Sequence, residues 1–187
     1  MSDVLKRFRC LGFMDPTDQE VRPQRRLPPR LTEGRGTVGG FLDNRKHNAS
    51  VLLDHLATRL SCTHGMADAV HCAKLIYSRV AEPPLIDELA ERCDFVVAAI
   101  GDRGLCGSCT MHDAMACEDR GLPAVFLCTE PFMNAAHNHA EACGNPDYQA
   151  VQVRYSLPPS RLSRHGPALM RSSEVCLPSS PARPGVW

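Results

Sequence analysis

Phe95-Val-Val-Ala-Ala-Ile-Gly-Asp-Arg-Gly-Leu-Cys-Gly-Ser-Cys-Thr110 is the stretch from which the rest of the chain can be read. Its first six residues form an unbroken apolar run, the pattern of a strand buried on both faces. Glycines 101, 104 and 107 follow, at positions where positive φ and close approach of a ligand to the backbone are expected. Residues 109–120 then carry Met111, Ala114 and Met115 at helical spacing, with Gly121 as the stop. A buried strand passing through a glycine-rich turn into a helix is the core of a βαβ unit.

The same alternation extends in both directions. Upstream, Thr37–Leu42 reads as a strand, and Asn48 as the cap of a helix with Val51, Leu52, Leu56 and Leu60 on one face. Ala69–Tyr77 reads as a second strand, and Pro83-Pro84 open a helix that turns Leu85, Ile86 and Leu89 inward. Downstream, Ala124–Cys128 is a strand, Thr129 caps a helix running to about Cys143 with Gly144 ending it, and Tyr148–Val153 is a last strand. The order β-α-β-α-β-α-β-α-β predicts a three-layer α/β fold: a mostly parallel sheet of four to five strands, helices on both faces, flavodoxin- or Rossmann-like.

The domain is expected over residues 36–156. Residues 1–35 read as a basic, proline-rich arm, solvated and packed irregularly on the domain, and residues 157–187 as an irregular, proline-rich, disordered tail. A fold of this kind is expected to close with a final helix on the sheet. Residues 156–187 hold no apolar stripe of the needed length, so that helix is expected to be lost or altered.

The chain has 187 residues, room for one domain. Lys plus Arg and Asp plus Glu are 21 each, so the basic excess of a bulk electrostatic nucleic-acid binder is missing; the two ends are basic and the middle acidic. No apolar run approaches the roughly 18 residues of a membrane span. The opening MSDVLKRFRC has no apolar core, so no secretory signal is expected. Ten cysteines in a chain without an export signal read as reduced thiols in a cytoplasmic protein. Cys62, Cys72, Cys93, Cys117, Cys128 and Cys143 fall on apolar faces or element ends and read as packing residues, Cys10 and Cys176 as incidental.

Ligands of open α/β sheets bind outside the carboxyl ends of the strands. That rim carries Asp43, Asn44, Arg45, Lys46 and His47 after the first strand, residues 101–110 after the FVVAAI strand, and Thr129 and Glu130 after the AVFLC strand. Cys106 and Cys109 form a C-x-x-C at the turn into the helix. The partial positive charge of a helix start is expected to lower the Cys106 pKa and make it a nucleophile, which Cys109 can resolve as a disulfide. His112 could tune that thiolate or shuttle protons. Metal binding through the two cysteines and a nearby histidine, and simple packing, remain as alternatives. The G-x-x-x-x-G-K-[ST] and G-x-G-x-x-G phosphate loops are absent, and His137 and His139, two apart on a helix, point to different faces.

The stretches Leu42-Asp-Asn-Arg-Lys-His-Asn-Ala49, Gly101-Asp102, Cys106-Gly-Ser-Cys-Thr110, His112-Asp-Ala114 and Arg120-Gly-Leu-Pro-Ala-Val125 together resemble the UGSC family. Leu11-Gly-Phe-Met-Asp-Pro-Thr17 is similar to that family's lead-in. The family is named for a selenocysteine-Gly-Ser-Cys motif. Cys106 stands at the selenocysteine position and Cys109 at the partner cysteine, and the motif is similar to the selenocysteine site of the glycine, sarcosine, betaine and proline reductases. Three residues, Arg103-Gly-Leu105, separate Gly101-Asp102 from the motif, a departure from a more direct run.

The resemblance implies thiol or selenol redox chemistry on a small molecule. Taken with the reading of the rim, Cys106, Cys109 and His112 are expected to be catalytic, and Asp43, Asn44, Asp102, Gly107, Ser108, Thr129 and Glu130 to bind substrate, with an external thiol or dithiol reductant and no bound cofactor or metal. No nucleic-acid or membrane partner is expected. The other reading is a non-catalytic redox-sensing module or a subunit of a homo- or hetero-oligomer, whose partner would cover a sheet face left bare.

Overall fold

The structure, a computed structural model, describes residues 26–154. Five strands and four helices alternate: β1 Val38–Asp43, α1 Ala49–His64, β2 Asp68–Ala73, α2 Pro83–Arg92, β3 Phe95–Gly101, α3 Gly104–Glu118, β4 Ala124–Thr129, α4 Met133–Ala142 and β5 Val151–Val153, with a 3-10 turn at Glu130–Phe132. The strands form one sheet in the order β2-β1-β3-β4-β5, and every pair is parallel. That is the flavodoxin-like order, in which the chain first builds outward from β1 and then returns to its other side.

Period-two alternation sends neighbouring residues of a strand to opposite faces, and each face has its own core. Leu42, Val96, Ala98 and Phe126 pack with Ile86 and Leu89 of α2, Met111, Ala114 and Met115 of α3, and Ala136 and Ala140 of α4. Phe41, Val97, Ala99 and Leu127 pack with Leu52, Leu53 and Ala57 of α1. The FVVAAI run is apolar throughout because β3 lies mid-sheet with helices on both sides. Each large side chain fully buried in this way contributes roughly 1.5–3 kcal/mol.

The elements exist where the sequence predicts them, with shifted boundaries. Residue 51 faces solvent, and α1 buries Ala49, Leu52, Leu53 and Ala57 instead. Asn48 sits in the left-handed region at φ 64° and makes no side-chain cap. β2 ends at Ala73 rather than at Tyr77, because Lys74 turns inward to a buried carboxylate. α3 begins at Gly104, not at residue 109. Thr129 does not cap the following helix. Its hydroxyl donates to the carbonyl of Gly101, and α4 starts only at Met133. Tyr148 precedes β5 and is buried, its hydroxyl donating to the carbonyl of Ala124.

Glycines 101, 104 and 107 have ordinary φ; positive φ is found at glycines 36, 65, 121 and 144. Gly101 is needed for space. A Cβ there would collide with the Phe126 ring and lie 3.1 Å from Cys128 Sγ. The segment before β1 is pinned through Arg30, whose guanidinium pairs with the buried Glu118 carboxylate, so this basic residue serves the fold. The expectations for the tail, the closing helix, Cys10 and Cys176 lie outside the described residues.

Candidate active site

The strand order places the topological switch between β1 and β3, and open sheets of this kind bind ligands there, outside the carboxyl ends of the strands. β1 delivers Asn44, Arg45 and Lys46 to this switch point. β3 delivers Asp102 and, through the short turn into α3, Cys106. The two sides meet directly: Lys46 Nζ lies 3.6 Å from Asp102 Oδ1. The Cys106 thiol donates to the same carboxylate oxygen at 2.9 Å, and the carbonyl of Arg103 is 3.2 Å from Sγ.

Cys106 is the third residue of α3 and is buried. The free N–H groups of a first helical turn favour a thiolate, yet the thiol is held above its ordinary value. Burial is the larger cause and the hydrogen bond to Asp102 the second, with Lys46 working weakly the other way. This corrects the expectation of a lowered pKa: burial first, and then a carboxylate in contact with sulfur, hold the thiol up despite its place at a helix start. Cys109 follows one turn later on the same helix and is also buried. All eight cysteines among the described residues are free.

Asn44 and Thr129 reach the rim, but the protein uses both side chains. Asn44 is buried. Its amide donates to the carbonyl of Ile100 (2.8 Å) and to Thr110 Oγ1 (2.9 Å), tying the end of β1 to β3 and α3. The fold thus holds both side chains in place at the rim. Asp43 Oδ1 accepts the Arg45 amide at 2.6 Å. Glu130 is exposed at the end of β4, Ser108 is half-buried on α3, and Gly107 is buried beside it.

His112 is not brought to Cys106. Six residues along a helix rotate it by about 240°, and its Nδ1 lies 3.6 Å from Cys143 Sγ, toward α4. Among the described residues no group of three or more His, Cys, Asp or Glu side chains is placed to hold a metal ion, which leaves the metal alternative without a ligand set. No helix among them is long and apolar enough to cross a membrane.

Three features escaped the sequence reading. Lys46 was visible as a rim residue without a task, and its partner Asp102 lies 56 positions away. Lys74 and Asp113 form a fully buried ion pair at 2.7 Å, in which Asp113 also accepts the Ala81 amide and Lys74 donates to the carbonyl of Arg79. An open cleft of about 200 Å³ lies at β1, β2 and α1, where His71 stacks on Phe41 and pairs with Asp54.

The family model of the UGSC family matches residues 12–166. The chain belongs to the UGSC family. The match takes in Cys106 and its neighbours, the whole described sheet and residues on both sides of it. A search of curated proteins returns no match. Within this UGSC protein the C-G-S-C motif occupies the first turn and a half of α3, at the switch point of the sheet.

Proposed function

We propose that this UGSC protein is a thiol-dependent, reductase-type enzyme acting on a small molecule, with Cys106 as nucleophile and Cys109 as resolving thiol. The observation that carries the reading is the contact of Cys106 Sγ with Asp102 Oδ1 at 2.9 Å, at the switch point where such sheets bind ligands. A protonated, buried thiol is a weak nucleophile and needs a base within hydrogen-bond reach. Asp102 is that base, and Lys46 lies 3.6 Å from its carboxylate. Asp43, Ser108 and Glu130 remain as polar groups able to orient a substrate.

In the first step Cys106 sulfur attacks an electrophilic heteroatom Y of a substrate Y–Z. The S–Y bond forms, Y–Z breaks, Z leaves with the bond pair, and the thiol proton passes through Asp102 to the leaving group. In the second step Cys109 attacks Cys106 Sγ, the disulfide forms and Y leaves as the reduced, protonated product. The substrate gains two electrons and two protons. An external dithiol reduces the disulfide and closes the cycle. The reading supposes a reducing, cytoplasmic setting in which both thiols start reduced.

Residues 106 and 109 stand one turn apart, with Cβ atoms about 5–6 Å from each other, whereas a disulfide needs about 3.5–4.5 Å. Resolution therefore draws the first turn of α3 inward. The test uses an aromatic disulfide reagent and peptide mass spectrometry. The wild type should release two aryl thiolates at this site and leave a Cys106–Cys109 disulfide that a dithiol removes. Cys109→Ser should release one and retain the aryl adduct on Cys106, and Cys106→Ser should release neither. A wild type that keeps the adduct on Cys106 without forming the disulfide would sink the resolving role.

A further inference from the structure

We infer that the substrate of Cys106 carries an apolar part, and that Tyr77 and Leu105 form the wall on which that part lies. The inference rests on Cys106 being the nucleophile and adds the class of substrate.

The loop after β2 turns large apolar side chains to solvent. Leu75 is 68% exposed, Ile76 40%, Tyr77 54% and Val80 53%, and Leu105, next to Cys106 on α3, is 65% exposed. Such a patch is uncommon on a surface that has no ligand or partner to meet. The loop is also firmly held. Lys74 at its start and Ala81 near its end both bond to Asp113, Lys74 bonds to the carbonyl of Arg79, and Arg45 donates to the carbonyl of Lys74. Asp113 lies on α3, two turns beyond Cys106, so the helix that carries the thiol also carries the frame of the loop.

Tyr77 is the member of this loop that reaches Lys46. Its ring centre is 5.2 Å from Lys46 Nζ, and Lys46 Nζ is 3.6 Å from the Asp102 oxygen that holds the thiol. Tyr77 beyond Lys46 and Leu105 beside Cys106 are the exposed apolar side chains around this sulfur, and apolar lining with a few placed polar groups is the usual make-up of a small-molecule site.

The experiment alkylates the full chain with iodoacetamide and with its N-benzyl derivative, and reads Cys106 by peptide mass spectrometry. In both reactions the S–C bond forms, C–I breaks and iodide leaves. Dividing each rate by that of a free small thiol removes the intrinsic reactivity of the reagents. The benzyl reagent should be favoured about tenfold at Cys106, as expected for burying part of one ring. Tyr77→Ser and Leu105→Ser, checked for folding by circular dichroism, should each bring the ratio toward that of the free thiol.

A wild-type ratio equal to that of the free thiol overturns the inference and leaves the nucleophile reading standing. So does a ratio that survives both substitutions while they shift the elution volume on size exclusion, which would make the patch a contact between copies. Cys106 inert to both reagents, in a chain that labels there once unfolded, overturns the nucleophile reading and this inference with it.

Discussion

Replacing Asp102 by Asn separates two effects that this carboxylate has on Cys106. As an anion 2.9 Å from sulfur it holds the thiol protonated; as a base it takes the proton during attack. Two unit charges about 4 Å apart interact by about 1 kcal/mol in water and about 4 kcal/mol at an effective dielectric of about 20. The Asp102 side chain is 24% exposed and shares its charge with Lys46, which places the effect near the lower bound. Roughly 1.4 kcal/mol corresponds to one pKa unit. Asp102→Asn should therefore move the midpoint of the Cys106 labelling profile down by about one unit. Thiolate reactivity falls with pKa at a slope of about 0.4–0.5, so of a tenfold gain in thiolate about threefold survives as a faster rate at neutral pH.

The assay is iodoacetamide labelling of Cys106 between pH 6 and 10, read by peptide mass spectrometry. The sign is diagnostic: simple loss of structure would raise labelling at every cysteine, whereas removal of this charge shifts the profile of Cys106. Turnover of a disulfide substrate should fall in the same variant, because the base is gone. A midpoint that stays in place or rises would refute the electrostatic account of the site.

Three further outcomes follow from the packing. Lys74→Met leaves Asp113 buried without its cation and should destabilise the fold by about 3–5 kcal/mol in urea unfolding, whereas Lys74→Met with Asp113→Leu should recover most of that; a single variant losing under about 1 kcal/mol would contradict the burial of the pair. Gly101→Ala drives a methyl into the Phe126 ring and should cost about 1–3 kcal/mol, relieved by Phe126→Leu; equal losses in both backgrounds would mean that space is not the constraint. Tyr148→Phe removes a buried hydroxyl donor from the Ala124 carbonyl and should cost about 1 kcal/mol by the same assay, and no loss would show that water replaces it.

What the sequence could reveal divides along a physical line. Features written in local periodicity were legible: the apolar FVVAAI run, the proline start of α2, and the stop at Gly121 all appear as residue patterns and recur as elements. Boundaries set by tertiary contacts were not. Glycines 104 and 107 have poor helix propensity, so the helix seemed to begin after them. In the fold α3 starts at Gly104 because Gly107, Thr110 and the residues beyond them have a buried place to go.

Strand order was the deeper obstacle. Right-handed crossovers restrict how parallel strands connect, but they leave open which side of β1 the third strand joins. Only the observed order β2-β1-β3 brings Lys46 to Asp102. The motif cysteine could be picked out from its strand end and turn, whereas the charge that governs it could not. The pKa expectation failed because it weighed Cys106 against its own helix alone and left out the burial of the thiol in the fold and the carboxylate just before the turn, which sits beside a lysine that follows another strand.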